Sequence, residues 1–466
     1  MAKLLDKILH VSPGWFKSLM VSCYGAVEHR KRFGKIYEDR YRELVAVSQG
    51  GEDEINSFQA RRLKELLSEA FYYSPWYRDQ YMNAGISEEI LENEDPLSLL
   101  TRLPFLEKEV LKSETRCVMS ENPKREPIAI VHTSGTSGSP MSIAFDREGR
   151  QSTYAEWRRY HDWLGLPEKF RSVRFSGRII VDPSATKPPF WCHNWVDQQL
   201  FMSTYHLKKE YLSDYIKKLN GFRPELIDGY PSALYIVAQY ILEEGVKLSF
   251  APKVVSVTAE TLMEHQRDAI ERAFGCKVYN QYASSEGAPW IVECEEGNYH
   301  LWSDTGVFEF LEPRELDEQT DIAELVVTSF RNFKTPLIRY RIGDYVQIFK
   351  QKMVCRCEAP YPVIKGVIGR SDDILFTEEK GSIGRLDPVY KGVEGVTQSK
   401  IIQHSMDELE VMIVVDSRFD INQENLLIEN LRHRLGSSIN INFTFHDSLP
   451  LGKTGKLKSV ERRFSI

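Results

Sequence analysis

Apolar positions recur at helical spacing through the N-terminal part of the chain. Leu4, Leu5, Ile8 and Leu9 form one stripe, Pro13 breaks it, and Phe16, Leu19, Met20 and Tyr24 continue it. The pattern predicts helix over residues 1–48 and two helices over 54–92, separated by the turn Ser74-Pro75-Trp76-Tyr77-Arg78. A turn into a helix follows over 103–112. The period then changes. Ile128-Ala129-Ile130-Val131-His132 is a β-branched run that predicts a strand, and an aromatic-rich helix is predicted over 151–164. From 207 to 290 the two periods alternate: helices at 209–219, 233–244 and 263–273 precede the apolar runs Glu225–Asp228, Lys253–Val257 and Lys277–Asn280. Strands alternating with helices predict βαβ units and a parallel sheet. The ligands of such a sheet sit beyond the C-terminal strand ends, here Asp228–Ser232, Thr258–Glu260 and Gln281–Glu286. Residues 306–348 turn to β-rich alternation around the strand Leu325–Thr328. The stretch 363–376, with Gly366, Gly369 and an acidic pair, reads as a turn between domains. The remainder carries strands at 400–404, 409–415 and 439–445 and one helix at 423–435, a small α+β unit.

The fold class is therefore α/β. A large N-terminal domain is expected over 1–370, with mixed and parallel sheets flanked by helices, a β-rich subdomain and a helical lead over 1–100. A small mobile α+β domain is expected over 371–466. The chain has 466 residues, 42% of them hydrophobic, which suffices for more than one packed core. A net charge of −7 argues against nucleic acid as the main partner. No apolar run reaches the roughly 18–20 residues needed to cross a bilayer. Asp6, His10, Pro13 and Lys17 interrupt any signal-peptide pattern, so a cytoplasmic location is expected. The basic run His29-Arg30-Lys31-Arg32 beside the N-terminal stripe suits peripheral attachment to a membrane or a partner; a helix packed on the body of the protein produces the same pattern. Seven cysteines, an odd number, favour thiols or metal ligands over a disulfide framework.

Three stretches carry candidate chemistry. After the first predicted strand comes Thr133-Ser134-Gly135-Thr136-Ser137-Gly138-Ser139-Pro140. Gly135 and Gly138 let backbone N–H groups turn towards an anion, and the four hydroxyls before Gly138 add donors, as in a phosphate cradle. A surface Ser/Gly loop has the same composition, and the spacing is not that of a P-loop. Arg174 and Arg178 stand near the aromatic cluster Phe190-Trp191 and Trp195, which suits an anionic substrate with a hydrophobic part; ion pairing beside core aromatics is the alternative. Cys294, His300, Cys355 and Cys357 supply a Cys₃His set of the kind that holds structural zinc, with no open position for catalysis; the spacing is not a common zinc-finger pattern, and unligated thiols are the alternative.

Five stretches in one order resemble the adenylate-forming superfamily of acyl- and aryl-CoA ligases: the loop Thr133–Pro140, Tyr282-Ala283-Ser284-Ser285-Glu286, Tyr340-Arg341-Ile342-Gly343-Asp344, Gly369-Arg370-Ser371-Asp372-Asp373, and Pro450 to Lys456. The wording around Ile338–Asp344 resembles the phenylacetate–CoA ligase branch, near the CapK-like proteins of capsule and surface-polysaccharide synthesis. The resemblance implies two steps. A small carboxylic acid attacks the α-phosphate of ATP and expels pyrophosphate; CoA, or an amine or hydroxyl acceptor, then displaces AMP. It further implies that Lys456 supplies a cation to the carboxylate and α-phosphate, that Glu286 holds Mg²⁺, and that Tyr282 covers the adenine. Asp344 would accept the ribose hydroxyls, Arg370 assist nearby, and Asp372 act as hinge of the small domain. The loop residues Thr133, Ser134, Gly135, Thr136, Ser137 and Gly138, together with Ala259, Glu260, Gln281, Ala283, Ser284 and Ser285, would complete the nucleotide site. Some members resemble this chain in the Cys/His arrangement as well. Three departures stand out: Ser139 replaces the loop's usual lysine, Ala283 a glycine, and Ile342 a threonine. A ligase-like scaffold that binds nucleotide without catalysis is the alternative function.

Overall fold

The computed structural model describes residues 12–132, 141–370, 375–379, 381–383, 386–452 and 456–464. Contacts divide the chain into two units. One comprises Met1–Ala26, Lys169–Asn280 and Ile368–Ile466; the other comprises Val27–Glu168 and Gln281–Val367.

The first unit contains the predicted βαβ run. Ser172–Ser176 lies parallel to both Gln199–Ser203 and Leu226–Gly229, and Leu226–Gly229 is parallel to Val254–Thr258. Trp191–Asn194 runs antiparallel to Gln199–Ser203 at the edge. The intervening helices are Lys209–Phe222, Pro231–Glu243 and Glu264–Phe274, within a few residues of their predicted limits. Their ends follow local chemistry. Pro231 opens the second, where its missing N–H has no helical acceptor to satisfy, and Gly275 closes the third at φ 69°. Gly229 is required by close approach: a Cβ there would lie 2.7 Å from the carbonyl oxygen of Phe175 on the neighbouring strand. Val173, Phe175, Ile227, Val255 and Val257 from the sheet pack with Leu219, Leu234, Val237 and Ile270 from the helices in one core.

In the C-terminal part of this unit, strands Val396–Gln403, Glu408–Val415, Asn440–Phe445 and Val460–Arg462 form one sheet. The helix Ile421–Leu435 buries Leu427, Leu431 and Leu435 with that sheet's Leu409, Val411 and Ile413, an i, i+4, i+8 stripe against alternating strand positions. The segment 363–376, expected as a turn, instead carries the strands Val363–Ile364, Gly366–Arg370 and Leu375–Thr377. Buried Ile364, Ile368 and Leu375 outweigh the turn preference of its glycines.

Among residues 14–26 the N-terminal helix lies against the edge strand. Ser18 Oγ accepts the His193 N–H at 3.1 Å, and Ser22 Oγ accepts the Trp195 N–H at 3.0 Å. That face is packed on the protein body, while Trp15, Leu19 and Tyr24 are exposed.

The second unit joins helices to antiparallel sheet. The helical lead breaks at Gly34, and the region 54–92 holds three helices rather than two: Glu52–Tyr73, Pro75–Asn83 and Glu88–Asn93. The third has its own N-cap, Ser87, whose hydroxyl accepts the Ile90 N–H. Gly306–Glu315, Thr320–Ser329 and Leu337–Phe349 form an antiparallel sheet, as the β-rich alternation predicts. Leu63, Leu66, Leu67, Tyr77 and Tyr81 pack against Leu325, Val327, Ile338 and Tyr340. The helix Arg147–Trp163 starts at Asp146, whose carboxylate accepts the Gly149 N–H at 2.7 Å. Among the described residues no helix is long and apolar enough to cross a membrane.

Candidate active site

The parallel strands carry Arg174 within Ser172–Ser176 and place Arg178, Ala259 and Glu260 past their C-terminal ends. Arg174, on Ser172–Ser176, lies in register with Asp228 of the neighbouring strand, and the two form an ion pair. Its charge is matched within the sheet. Arg178 stands 5.7 Å from the Phe201 ring centroid. Past the strand Leu226–Gly229, Tyr230 reaches a position where the Lys456 ammonium lies 5.7 Å from its ring centroid. The Lys456 carbonyl accepts the Gly452 N–H at 2.9 Å.

Past the strand Val254–Thr258 the chain passes through Ala259, at φ 72°, to Glu260. One Glu260 oxygen accepts the Ser232 N–H at 3.1 Å and the other accepts the Leu457 N–H at 2.9 Å. Burial pushes the Glu260 carboxyl above its ordinary range, against the opposing pull of Ser232, the Leu457 N–H and the Lys456 charge.

In the second unit the Tyr282 hydroxyl donates to an Asp344 carboxylate oxygen at 2.6 Å, although the residues are 62 apart in sequence. Asp344 follows Gly343, which at φ 80° takes the left-handed backbone that glycine adopts most readily. The turn after Tyr282 is held by the Gly287 N–H on the Ser284 carbonyl (3.2 Å) and the Ala288 N–H on the Ser284 hydroxyl (3.1 Å). Glu286 is buried within that turn, and Ala283 and Ser285 flank Ser284 in it. Gln281 is buried, and its side-chain oxygen has no hydrogen-bond donor among the described residues. Arg370 ends the strand Gly366–Arg370. Thr133, Ser134, Gly135, Thr136, Ser137, Gly138 and Asp372 lie outside the described residues.

The Cys/His set converges within the second unit. The ligand atoms of Cys294, His300, Cys355 and Cys357 all lie within 4.8 Å of one another. Cys294 Sγ and Cys355 Sγ are 3.6 Å apart, and Cys357 Sγ lies 3.2 Å from His300 Nε2. A tetrahedral zinc with bonds of about 2.3 Å to sulfur separates its sulfurs by about 3.8 Å, so the set fits. The Asn298 amide donates to Cys355 Sγ at 3.2 Å, a contact that polarises the sulfur as a ligand. Burial lowers the His300 pKa.

Sequence reasoning missed three residues of this geometry. Tyr230 and Ser232 were visible only as a strand end, which is the signal that marks them. Asn298 carried no signal, because its role depends on the hairpin that places it beside Cys355.

Comparison with known proteins agrees with this architecture. The family model for the CapK C-terminal domain matches residues 375–463. The protein CapK of Staphylococcus aureus is 32% identical over 473 aligned positions, covering 99% of each chain. A phenylacetate–coenzyme A ligase of Thermus thermophilus is 26% identical, over 88% of this chain and 96% of that one. The crystal structure of 2-hydroxyisobutyryl-CoA ligase in the postadenylation state, in complex with R3-HIB-AMP, superposes with a TM-score of 0.66 at 17% identity. It covers 88% of this chain and 89% of the other, which shows a shared fold.

Proposed function

Since the chain belongs to the CapK family, in the phenylacetate–CoA ligase branch of the adenylate-forming superfamily, we propose that it is an AMP-forming acid ligase. It activates a small carboxylic acid as the acyl-adenylate with release of pyrophosphate. It then transfers the acyl group to CoA or to an amine or hydroxyl acceptor, in surface-polysaccharide synthesis. The observation that carries this reading is the contact between Tyr282 and Asp344: two motif residues far apart in sequence meet at hydrogen-bond distance.

In the first step the acid's carboxylate oxygen attacks the α-phosphorus of ATP, and the bond to the bridging oxygen of pyrophosphate breaks. Charge builds on the α-phosphate oxygens and on the leaving group. Lys456 meets it with a positive charge on a long stem, and the hydroxyl-rich loop 133–138 meets it with donors. Tyr282 covers the adenine and Asp344 accepts the ribose hydroxyls. Ala259, Gln281, Ala283, Ser284 and Ser285 line the nucleotide, with Arg370 assisting at the ribose or phosphate. Mg²⁺, when bound, would neutralise phosphate charge, with Glu286 as its carboxylate. In the second step the acceptor's nucleophilic atom takes the acyl carbon and AMP leaves. The region 371–466 acts as a mobile lid hinged at Asp372 over the domain 1–370, so one site serves both steps. Arg174 and Arg178 stand on the acid's side. Cys294, His300, Cys355 and Cys357 would hold a structural zinc that clips the Cys294–His300 hairpin to the Cys355–Cys357 loop.

The test is carboxylate-dependent ATP–pyrophosphate exchange across aryl, fatty, amino and sugar acids, with Lys456→Ala as the blank. Exchange with one acid class, lost in the variant, is expected. Undiminished pyrophosphate release from Lys456→Ala sinks the assignment. Silence across the panel together with no ATP binding favours the non-catalytic scaffold.

A further inference from the structure

Glu260 belongs, by family resemblance, among the nucleotide contacts, but its two carboxylate oxygens are already engaged. One accepts the backbone N–H of Ser232, in the first turn of the helix Pro231–Glu243; the other accepts the backbone N–H of Leu457. Leu457 directly follows Lys456, and its side chain is buried. We propose that Glu260 is a positioning residue that ties the Lys456–Leu457 peptide to the N-terminus of the helix Pro231–Glu243 and so aims the Lys456 ammonium for adenylation. This rests on the proposed role of Lys456.

Four observations converge. Ala259, which delivers Glu260, has a left-handed backbone at φ 72°. A residue with a Cβ holds that conformation only where its surroundings over-determine it. Both hydrogen bonds join a charged acceptor to a backbone donor, the stronger class of such bonds. The Lys456 charge acts on the same carboxylate and opposes the effect of burial on it. The ammonium itself lies over Tyr230, the residue two before Ser232. One carboxylate thereby sets where the lysine stem begins, and Tyr230 lines the space into which it extends. Holding a catalytic charge to within a fraction of an ångström is what a supporting residue contributes to a reaction of this kind.

The two roles separate experimentally. Glu260→Gln preserves shape but presents an amide N–H₂ to one of the two backbone donors. The variant is expected to leave ATP affinity within twofold of wild type, because Tyr282 and Asp344 are untouched. Hydrogen exchange at the Leu457 amide should accelerate tenfold or more, with the strand Leu226–Gly229 unchanged. With phenylacetate as probe acid, kcat for ATP–pyrophosphate exchange should fall tenfold or more at constant KM for ATP. Glu260→Ala, which removes both acceptors without adding a donor, should repeat the pattern. Unchanged protection of Leu457 in both variants overturns the proposal, and so does a tenfold loss of ATP affinity with Leu457 still protected, which would return Glu260 to the nucleotide site. Amide exchange needs no acid, so it decides the tether even where phenylacetate is not turned over. A fully active Lys456→Ala would overturn the ligase reading and the aiming role together, yet Leu457 exchange would still report whether the tether exists.

Discussion

Replacing Asp344 by asparagine removes one charge at constant shape, and its consequence for ATP binding can be worked from the contact with Tyr282. The carboxylate accepts the Tyr282 hydroxyl at 2.6 Å through one oxygen, and in the proposed function the ribose hydroxyls approach the same group. Asparagine has one acceptor oxygen and one N–H₂. With the oxygen towards Tyr282, the N–H₂ faces the ribose and cannot accept from it. With the N–H₂ towards Tyr282, the tyrosine hydroxyl must turn to accept, and the ribose meets a neutral oxygen in place of a charged one. In either orientation at least one hydrogen bond to a charged acceptor is lost, about 1.5–3 kcal/mol. At about 1.4 kcal/mol per tenfold, ATP affinity should weaken by roughly 10–150-fold. Titration calorimetry with MgATP and no acid measures it. Repeating the titration with 3′-deoxy-ATP closes a double-mutant cycle: wild type should lose affinity for the deoxy nucleotide, and Asp344→Asn should lose little more. A variant that binds ATP within twofold of wild type, or discriminates the two nucleotides as wild type does, refutes the ribose role.

Three further outcomes are expected. Protein purified without chelator should carry about one equivalent of zinc, and Cys355→Ser should carry markedly less; below one-tenth of an equivalent in the unsubstituted protein, the metal reading fails. His206 is buried, with Nδ1 2.8 Å from the Ser203 hydroxyl, Nε2 3.0 Å from the Asp182 carbonyl, and burial holding its pKa below the ordinary value. Its contribution to stability is therefore fully present above the unfolded-state pKa of about 6.5 and is lost as pH falls through the folded value, with a slope of up to about 1.4 kcal/mol per pH unit. Urea unfolding between pH 7.5 and 5 should show that slope flattened in His206→Phe, and an identical slope in the variant would exclude the assignment. The buried Tyr77 hydroxyl donates to the Pro336 carbonyl at 3.1 Å and accepts the Ile338 N–H at 3.0 Å, so Tyr77→Phe leaves both without their partner. Destabilisation of about 1–3 kcal/mol is expected in urea unfolding, and no change would mean that those backbone groups find other partners.

Local patterning determines much of this protein. The alternation from 207 to 290 is a short-range signal of helix-period stripes and β-branched runs, and the helices and strands appear where it places them. The candidate residues Glu260 and Tyr282 to Glu286 are likewise legible as strand ends, whereas Asp344 is marked only by resemblance and lies within the strand Leu337–Phe349. Where sequence and structure part, the cause is burial. Gly366 and Gly369 read as a turn, but Ile364 and Ile368 pay for strand by going under cover. Beyond that, partners were decided by tertiary structure alone. Arg174 reads as a substrate cation or as one half of an ion pair, and parallel register names the partner by setting Asp228 beside it, 54 residues on. Cys294, His300, Cys355 and Cys357 read as one candidate set, but loop closure is what brings their ligand atoms within 4.8 Å of one another. Glu260 reads as a residue at a strand end, and only the folded chain sets the Ser232 and Leu457 N–H groups on its two oxygens. The physical reason is common to all three. Periodicity is written over a turn of helix or a few strand residues, whereas strand order, register and loop closure depend on the packing of the whole unit, and they choose which charge meets which donor.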